Sequence, residues 1–391
     1  MSFSFFSLVG LIVYCLVKWG RAWILFFLML GSLSVLVAQF FSPTYDHTHF
    51  MKYVDRYRDV YAAMSDSSFN FSPFAGLLWM FLKLIPNPDY AVPLFNAFSF
   101  SIAGFFLLGA VGGPENATCR PQSRLLFIAM CLNGTLVANF FPSANKDSII
   151  CLGLSSAMYG VSQAVKVVSQ PEVFKVRHLI PFFILVIVAV FGWCIVGNLR
   201  SYFSDFLFVS VSIGLTATIL VAVFRWSDFK AGLFVLFVSC SVVTISLLCK
   251  WPEIRRVVQT YFGNAVIPDL YFARAPVDLV QAAMYSLRGI WVFFFGALFA
   301  VFDDNAISPA RLFFGFLDQV AFLSLASVFL FFSKRGVWKF SLLAFALLQA
   351  GIQTWSSPNY GSLFRLRIFL YMAFAAVSCY QVYGSKKVQT L

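Results

Sequence analysis

"LVGLIVYCLVKWGRAWILFFLMLGSLSVLV", Leu8 to Val37, is two apolar runs joined by a short basic seam. Lys18 and Arg21 are its only charged residues. A membrane-crossing helix needs roughly 20 predominantly apolar residues, so the stretch reads as two spans, 2–17 and 22–41, with a turn between them. Short cytoplasmic loops are enriched in Lys and Arg, which puts that turn on the cytoplasmic side. The first run has no basic start and no A-x-A-like cleavage site, so it is expected to be retained and not removed as a signal peptide.

The rest of the chain follows the same pattern. Its 391 residues are 60% hydrophobic and only 11% charged, against about 25% charged in a soluble domain, and the mean hydropathy is +0.84. This is the composition of a polytopic α-helical membrane protein. No polar linker divides it, so a single integral membrane domain over 1–391 is expected. The net charge of +12 does not indicate nucleic-acid binding. The basic residues are scattered between apolar spans and form no single basic face with interleaved aromatics. Seven of the eight cysteines lie in apolar spans, without CxxC spacing or a disulfide framework.

Further spans are expected over 90–112, 124–141, 147–168, 178–197, 202–224, 231–249, 311–333, 337–353 and 364–383. Two apolar stretches are ambiguous. Residues 71–85 are short and bounded by Pro73 and Pro86, and residues 277–302 carry Arg288 near their middle. The basic sites decide between them: Lys18 and Arg21; Arg120 and Arg124; Lys166, Lys175 and Arg177; Arg225 and Lys230; Lys334, Arg335 and Lys339; Lys386 and Lys387. All fall on the cytoplasmic side only if both ambiguous stretches return to the external face. The expected topology is therefore eleven spans with the N-terminus outside and the C-terminus inside. Segments 42–89, 142–146, 198–201, 250–310 and 354–363 are then external. Re-entrant backbone at membrane depth is tolerated only where protein or a wet cavity covers it, so loops 42–89 and 250–310 mark the expected active face.

The odd polar residues gather in those external segments. As a helix, "YDHTHFMKYVDRYRDVY" (45–61) sets Asp46, Phe50, Tyr53, Tyr57 and Tyr61 on one face and Lys52, Asp55, Arg56 and Asp59 on the other. That is an interfacial amphipathic anchor. Alternatively, Asp46 at the end of the second span acts as a general base or orients an acceptor hydroxyl, assisted by His47 and His49. A metal reading of Asp46, His47 and His49 is the weaker one, because the spacing matches no strong metal motif, and neither a metal nor a cofactor is expected. "FPSANKDS" (141–148) places Lys146 and Asp147 at the start of a span, as a helix start with its first-turn acid or as a phosphate-binding lysine. Loop 250–276 carries Lys250, Arg255, Arg256 and Arg274. Arg288, inside an apolar stretch, implies an anionic partner, either a ligand or one of Asp278, Asp303 and Asp304. Arg365 and Arg367 open the last span as snorkelling anchors or as planar forks for phosphate oxygens. Together these cations, one early carboxylate and an apolar wall suit an amphiphile with a phosphate or diphosphate head and a long hydrocarbon tail.

Three of these stretches resemble the Wzy- and EpsG-like polysaccharide polymerases, within the wider GT-C superfamily of polyprenyl-linked sugar transferases. "YDHTHFMKYVDRY" (45–57), with "FSPFAGLLWMFLKLI" (71–85) after it, is similar to that family's early external loop. "FFPSANKDSIICLGL" (140–154) is similar to its P-S-x-x-x-K-[DE] segment, and "SPNYGSLFRLRIF" (357–369) to its late N-x-G-[ST]-x-x-R-x-R signature. The resemblance implies a GT-C-type glycosyltransferase at the external face of a bacterial inner membrane. It would join undecaprenyl-diphosphate-linked oligosaccharide units, as both donor and acceptor, into an O-antigen, capsule or exopolysaccharide. Asp46 and His47 would then be the catalytic residues, while Lys146, Arg274, Arg288, Arg365 and Arg367 would hold the diphosphate as it departs. Asn359 and Gly361 would shape the turn presenting the two arginines, and Tyr45 and Tyr53 would line the substrate pocket. The implied partners are the lipid-linked substrates, membrane lipids and a chain-length regulator. The alternatives are a single-sugar transferase using a polyprenyl-monophosphate donor and a lipid-linked oligosaccharide flippase. No internal repeat or midplane helix break of the transporter kind is evident.

Overall fold

The computed structural model describes residues 3–41, 43, 45–54, 72–118, 120–134, 136–168, 176–263, 278–295, 309–332, 337–356 and 367–384. Among them every regular element is helical. In chain order the helices are α1 (Phe3–Ala38), α2 (Tyr45–Val54), α3 (Ser72–Leu84), α4 (Pro88–Gly112), α5 (Pro114–Thr118), α6 (Arg120–Leu132) and α7 (Asp147–Val168). There follow α8 (Val176–Leu199), α9 (Ser201–Phe224), α10 (Asp228–Gly263), α11 (Leu279–Phe295), α12 (Pro309–Phe332), α13 (Val337–Ser356) and α14 (Ile368–Gly384). Six described helical stretches are long and apolar enough to cross a membrane: Phe6–Ala38, Pro88–Gly112, Asp147–Val168, Leu179–Leu199, Ser201–Phe224 and Asp228–Cys249. The protein is thus an α-helical membrane protein. It packs as two compact units, one of Met1–Ser204, Val328–Phe332 and Tyr371–Leu391, the other of Asp205–Ser327 and Ser333–Leu370. The division after Ser204 falls inside an apolar helix, which is why no linker announces it.

The first of these stretches is a hairpin. At 36 residues a straight α1 would run about 54 Å, but Gly20 breaks it with a non-helical φ/ψ of 1° and −87°. The arm after the break runs antiparallel to α4. Trp19 Nε1 donates to Pro114 O (3.0 Å), Trp23 Nε1 to Ser101 Oγ (2.9 Å) and Ser34 Oγ to Pro93 O (3.1 Å). The arm before the break turns back along the same side. Tyr14 OH bonds Tyr159 OH at 2.9 Å, and Gly10 meets the ring of Phe191 on α8, level with the middle of α7. A straight continuation past Trp19 would carry Gly10 beyond the end of α4, so the contacts require a fold-back. The expected turn between Lys18 and Arg21 is therefore present at Gly20.

Helix α4 is the hub of the first unit. Its start is specified locally: Asn87 caps it by accepting from Asp89 N (2.9 Å), Pro88 takes the first turn, and Asp89 complements the helix dipole. Its buried side chains include Phe95, Phe100, Phe105 and Phe106, with Trp19 edge-on to Phe106 and to Tyr159, and Tyr159 tilted against Phe106. Lipid supplies no hydrophobic drive between helices, so close backbone contact at small residues must hold them. Helices α7 and α8 cross antiparallel in this way. A Cβ added at Gly160 would lie 2.5 Å from Leu185 O and 2.6 Å from Ala189 N, and Gly153 and Gly192 meet backbone to backbone.

Gly160→Ala is therefore expected to destabilise the first unit by about 1–3 kcal/mol, the usual cost of overpacking. Gly232→Ala on α10, where a Cβ would meet nothing within 4 Å, should be neutral or stabilising. Thermal unfolding of both variants in detergent checks the pair. Equal midpoints would contradict the close crossing of α7 and α8.

In the second unit, Ile213 and Ala217 of α9, Ala231 and Val235 of α10, and Phe340 and Ala344 of α13 form one buried apolar cluster. Two expectations change here and in the first unit. The span expected over 124–141 stops as a helix at Leu132 and resumes as a π-type turn over Leu136–Phe140. The loop expected from 250 begins as helix, because α10 continues through Pro252 to Gly263. Pro252 removes one backbone hydrogen bond and its ring crowds the carbonyl four residues earlier, yet helix continues on both sides of it. Segments 71–85 and 277–302 contain helices of 13 and 17 residues, α3 and α11.

Candidate functional site

The break after Leu132 originates in Asn133. Asn side chains compete with the helix for backbone partners, and Asn133 Oδ1 accepts from Leu136 N at 2.6 Å. The chain then passes into the π-type turn, with Phe141 N donating to Leu136 O (3.0 Å). From Phe141 to Asn145 it is irregular and buried. Irregular backbone taken out of water must find its hydrogen bonds inside the protein, and here side chains provide them. Asn96 Nδ2, buried on α4, donates to Phe140 O (2.6 Å) and Ser143 O (2.8 Å). Ala144 N donates to His47 Nδ1 at 3.1 Å. Asn145 Oδ1 accepts from Asp147 N (3.0 Å) and starts α7.

His47 is thus a receiver of a backbone N–H. That bond requires the neutral ring with its proton on Nε2. Burial pushes the His47 pKa down, opposed by the Asp89 carboxylate. An imidazole held below its ordinary value of about 6.5 takes its proton more readily when unfolded. Its contribution to stability is complete above about pH 6.5 and falls away as pH drops from there toward the lower folded value. Thermal midpoints between pH 7.5 and pH 5.5 should therefore fall more for the wild type than for His47→Gln, which keeps an acceptor but does not titrate. Parallel pH curves for the two proteins would disprove the strut.

One residue past Asn145 lies a corner of charge. Lys146 is half-buried, and its Nζ donates to Leu199 O at 3.4 Å, at the end of α8. Asp147 is 3% exposed and pairs with Arg200 at 3.1 Å. Arg200 Nη1 also donates to Tyr202 OH (3.0 Å), and its guanidinium lies 5.8 Å from the Phe203 ring centre. The corner is built by the antiparallel crossing of α7 and α8, which brings the α8–α9 junction beside the start of α7. Arg200 and Asn96 are the members that motif reading missed. A buried aspartate in apolar surroundings implies a cation nearby, and that signal at Asp147 could have led to Arg200.

The second unit holds another buried charge. Arg367, just ahead of α14, is 1% exposed and Asp318 on α12 is 2% exposed. They pair at 2.7 Å. Arg367 Nη1 donates to Gln319 Oε1 (2.8 Å) and Phe293 O (2.9 Å), and the guanidinium lies 4.5 Å from the Phe322 ring centre. Gln319 Nε2 donates in turn to Phe294 O. The arginine assigned from sequence either to a diphosphate or to the membrane surface thus sits inside the protein among named partners.

Tyr45, Asp46 and Tyr53 fall on α2, where Phe50 is buried edge-on against Phe74 and Lys52 is exposed. Arg288 falls on α11. The expectations for the side chains of Tyr45, Asp46, His49, Tyr53 and Arg288, and for Arg274, Asn359, Gly361 and Arg365, lie outside the described residues. Among the described residues no group of three His, Cys, Asp or Glu side chains could hold a metal ion. No family model, curated protein or solved structure matches the chain.

Proposed function

We propose that this protein is a membrane glycosyltransferase that polymerises undecaprenyl-diphosphate-linked oligosaccharide repeat units into a surface polysaccharide, an O-antigen, capsule or exopolysaccharide. The proposed setting is the external face of a bacterial inner membrane, with eleven spans, the N-terminus outside and the C-terminus inside. The observation that carries the reading is one hydrogen bond. Ala144 N and His47 Nδ1, 97 residues apart in sequence, join two of the three stretches on which the resemblance rests. The carboxylate of the early motif and the lysine of the middle one then belong to neighbouring segments of one unit.

In this reading an acceptor hydroxyl attacks the anomeric carbon of the donor. Its proton passes to Asp46, one residue before His47 on α2. The bond from the anomeric carbon to the lipid diphosphate breaks, and the electron pair leaves with the diphosphate. Lys146, Arg274, Arg288 and Arg365 hold that growing negative charge. The protein's part is to orient the two substrates and to stabilise the leaving group.

The test is reconstitution. Purified full-length protein in liposomes, given the lipid-linked repeat unit, should produce a ladder of polymer. Cells lacking the gene should still display single repeat units at the surface. Loss of the single units as well would replace polymerisation with transport, and an unchanged polymer in such cells would end the proposal.

A further inference from the structure

We propose that the groove between α7 and α8 holds one acyl chain of an anionic phospholipid, with the head group at the basic end of the first unit. The groove holds about 600 Å³. It arises from Gly160 and Ala164, one turn apart on α7, whose small size leaves room beside Phe182, Val186, Val190 and Trp193 of α8. Val168, the last residue of α7, lines its mouth. Val168 and Val190 are 53% and 46% exposed, so the groove is open to its surroundings. Both helices are long and apolar enough to cross a membrane, and the medium around such a pair is lipid. From Phe182 to Trp193, α8 rises about 16 Å at roughly 1.5 Å per residue. The hydrocarbon of one leaflet is half of a core of roughly 30 Å, about 15 Å. On α7 the lining stops at Gly160, and further along Gly153 and Gly192 meet backbone to backbone. The groove thus takes a chain of single-leaflet length that enters beside the end of α7. A long polyprenyl tail would overrun it.

Lipid tails are as apolar as the groove, so the chain alone gains only packing over bulk lipid. The head group must supply the preference, and the charge at the mouth selects it. Trp19 Nε1 donates to Pro114 O, which sets the Gly20 turn beside the end of α4. Lys166 Nζ donates to Val111 O at 3.5 Å, which brings the end of α7 to the same place. The chain segments that meet there, 18–21, 113–124 and 166–178, carry seven lysines and arginines against Glu115 and Glu172. Pairing both acids still leaves five positive charges. Basic pockets between spanning helices recognise anionic head groups. The groove does not depend on the reaction proposed above, because Lys146 lies at the opposite end of α7.

Trp193 provides the readout. Full-length protein is placed in phosphatidylcholine nanodiscs containing rising fractions of phosphatidylglycerol brominated on its acyl chains, which quenches nearby tryptophan fluorescence. The wild type should show a saturable quenching component at low mole fraction, and Trp193→Phe should lack it. Brominated phosphatidylcholine should give only the gradual quenching of lipid-exposed tryptophans. Lys166→Gln and Arg177→Gln should each raise the half-saturating fraction by about fivefold, the usual effect of one basic residue near a head group. Ala164→Leu fills the groove and should abolish the saturable component. Val190→Phe narrows it from the exposed side and should weaken binding, which keeps the test intact if Ala164→Leu does not fold. Equal quenching by the two brominated lipids would overturn the proposal, as would a saturable component that survives in Trp193→Phe. Wild-type curves in both groove variants, or in both charge variants, would do the same. Unlabelled phosphatidylglycerol should displace the brominated lipid better than undecaprenyl phosphate does. The reverse order would assign the groove to a polyprenyl lipid and overturn the phospholipid site.

Discussion

Arg367→Met and Asp318→Leu, made singly, are each expected to cost about 3–5 kcal/mol and to leave little folded protein, while the double substitution should restore it. The pair is buried on both sides, at 1% and 2% exposure, with a 2.7 Å contact. Removing one partner strands the other charge in an apolar interior, which is where that cost arises. The whole stability of a domain is only about 5–15 kcal/mol, so either single loss is a large share of it. Replacing both partners by apolar side chains of similar volume leaves no stranded charge and is often neutral or stabilising. Gln319 and Phe293 O would each lose their bond to the arginine, so recovery in the double variant should stop short of the wild type. The monodisperse fraction and the thermal midpoint in detergent measure all three variants. Wild-type behaviour of either single variant would refute the buried pair. The double variant also separates two roles for Arg367: polymer made by that folded protein would limit the arginine to structure, and its absence would point to contact with substrate.

Asp46→Asn is expected to lower polymer formation by about 10²–10⁴-fold, the usual loss when a general base is removed, with protein level and thermal midpoint unchanged. Asparagine has nearly the shape of aspartate but cannot accept the proton of the attacking hydroxyl. The neighbouring strut provides a control, because His47→Gln keeps an acceptor for Ala144 N and should hold the irregular segment in place. Near-normal polymer from Asp46→Asn would return α2 to the role of an interfacial anchor.

Several features were legible from local chemistry. Lys18 and Arg21 interrupt an apolar run, and the hairpin turns between them at Gly20. Asn87-Pro88-Asp89 specifies the start of α4 within three residues. The long apolar runs of α7 to α10 read as spans because a bilayer-crossing helix satisfies its own backbone and leaves its side chains apolar. The irregular course after Leu132 was hidden for a matching reason. Leu, Val and Phe continue on both sides of Asn133, so the apolar pattern runs on, although the helix ends where an amide side chain captures a backbone N–H.

The sequence by itself determined that the chain is an α-helical membrane protein, where several of its helices lie and which stretches carry polar chemistry, because span length, hydropathy and caps are properties of contiguous residues. Only the tertiary structure decided the partnerships: Asp147 with Arg200, Asn96 with the carbonyls of Phe140 and Ser143, His47 with Ala144, and Arg367 with Asp318. Each joins residues from separate elements, and the choice among available partners is made by helix crossings such as that of α7 on α8 at Gly160. A buried charge or an irregular turn advertises in sequence that it needs a partner. Which residue fills that need depends on which backbones can approach within a few ångströms, and that is settled by packing.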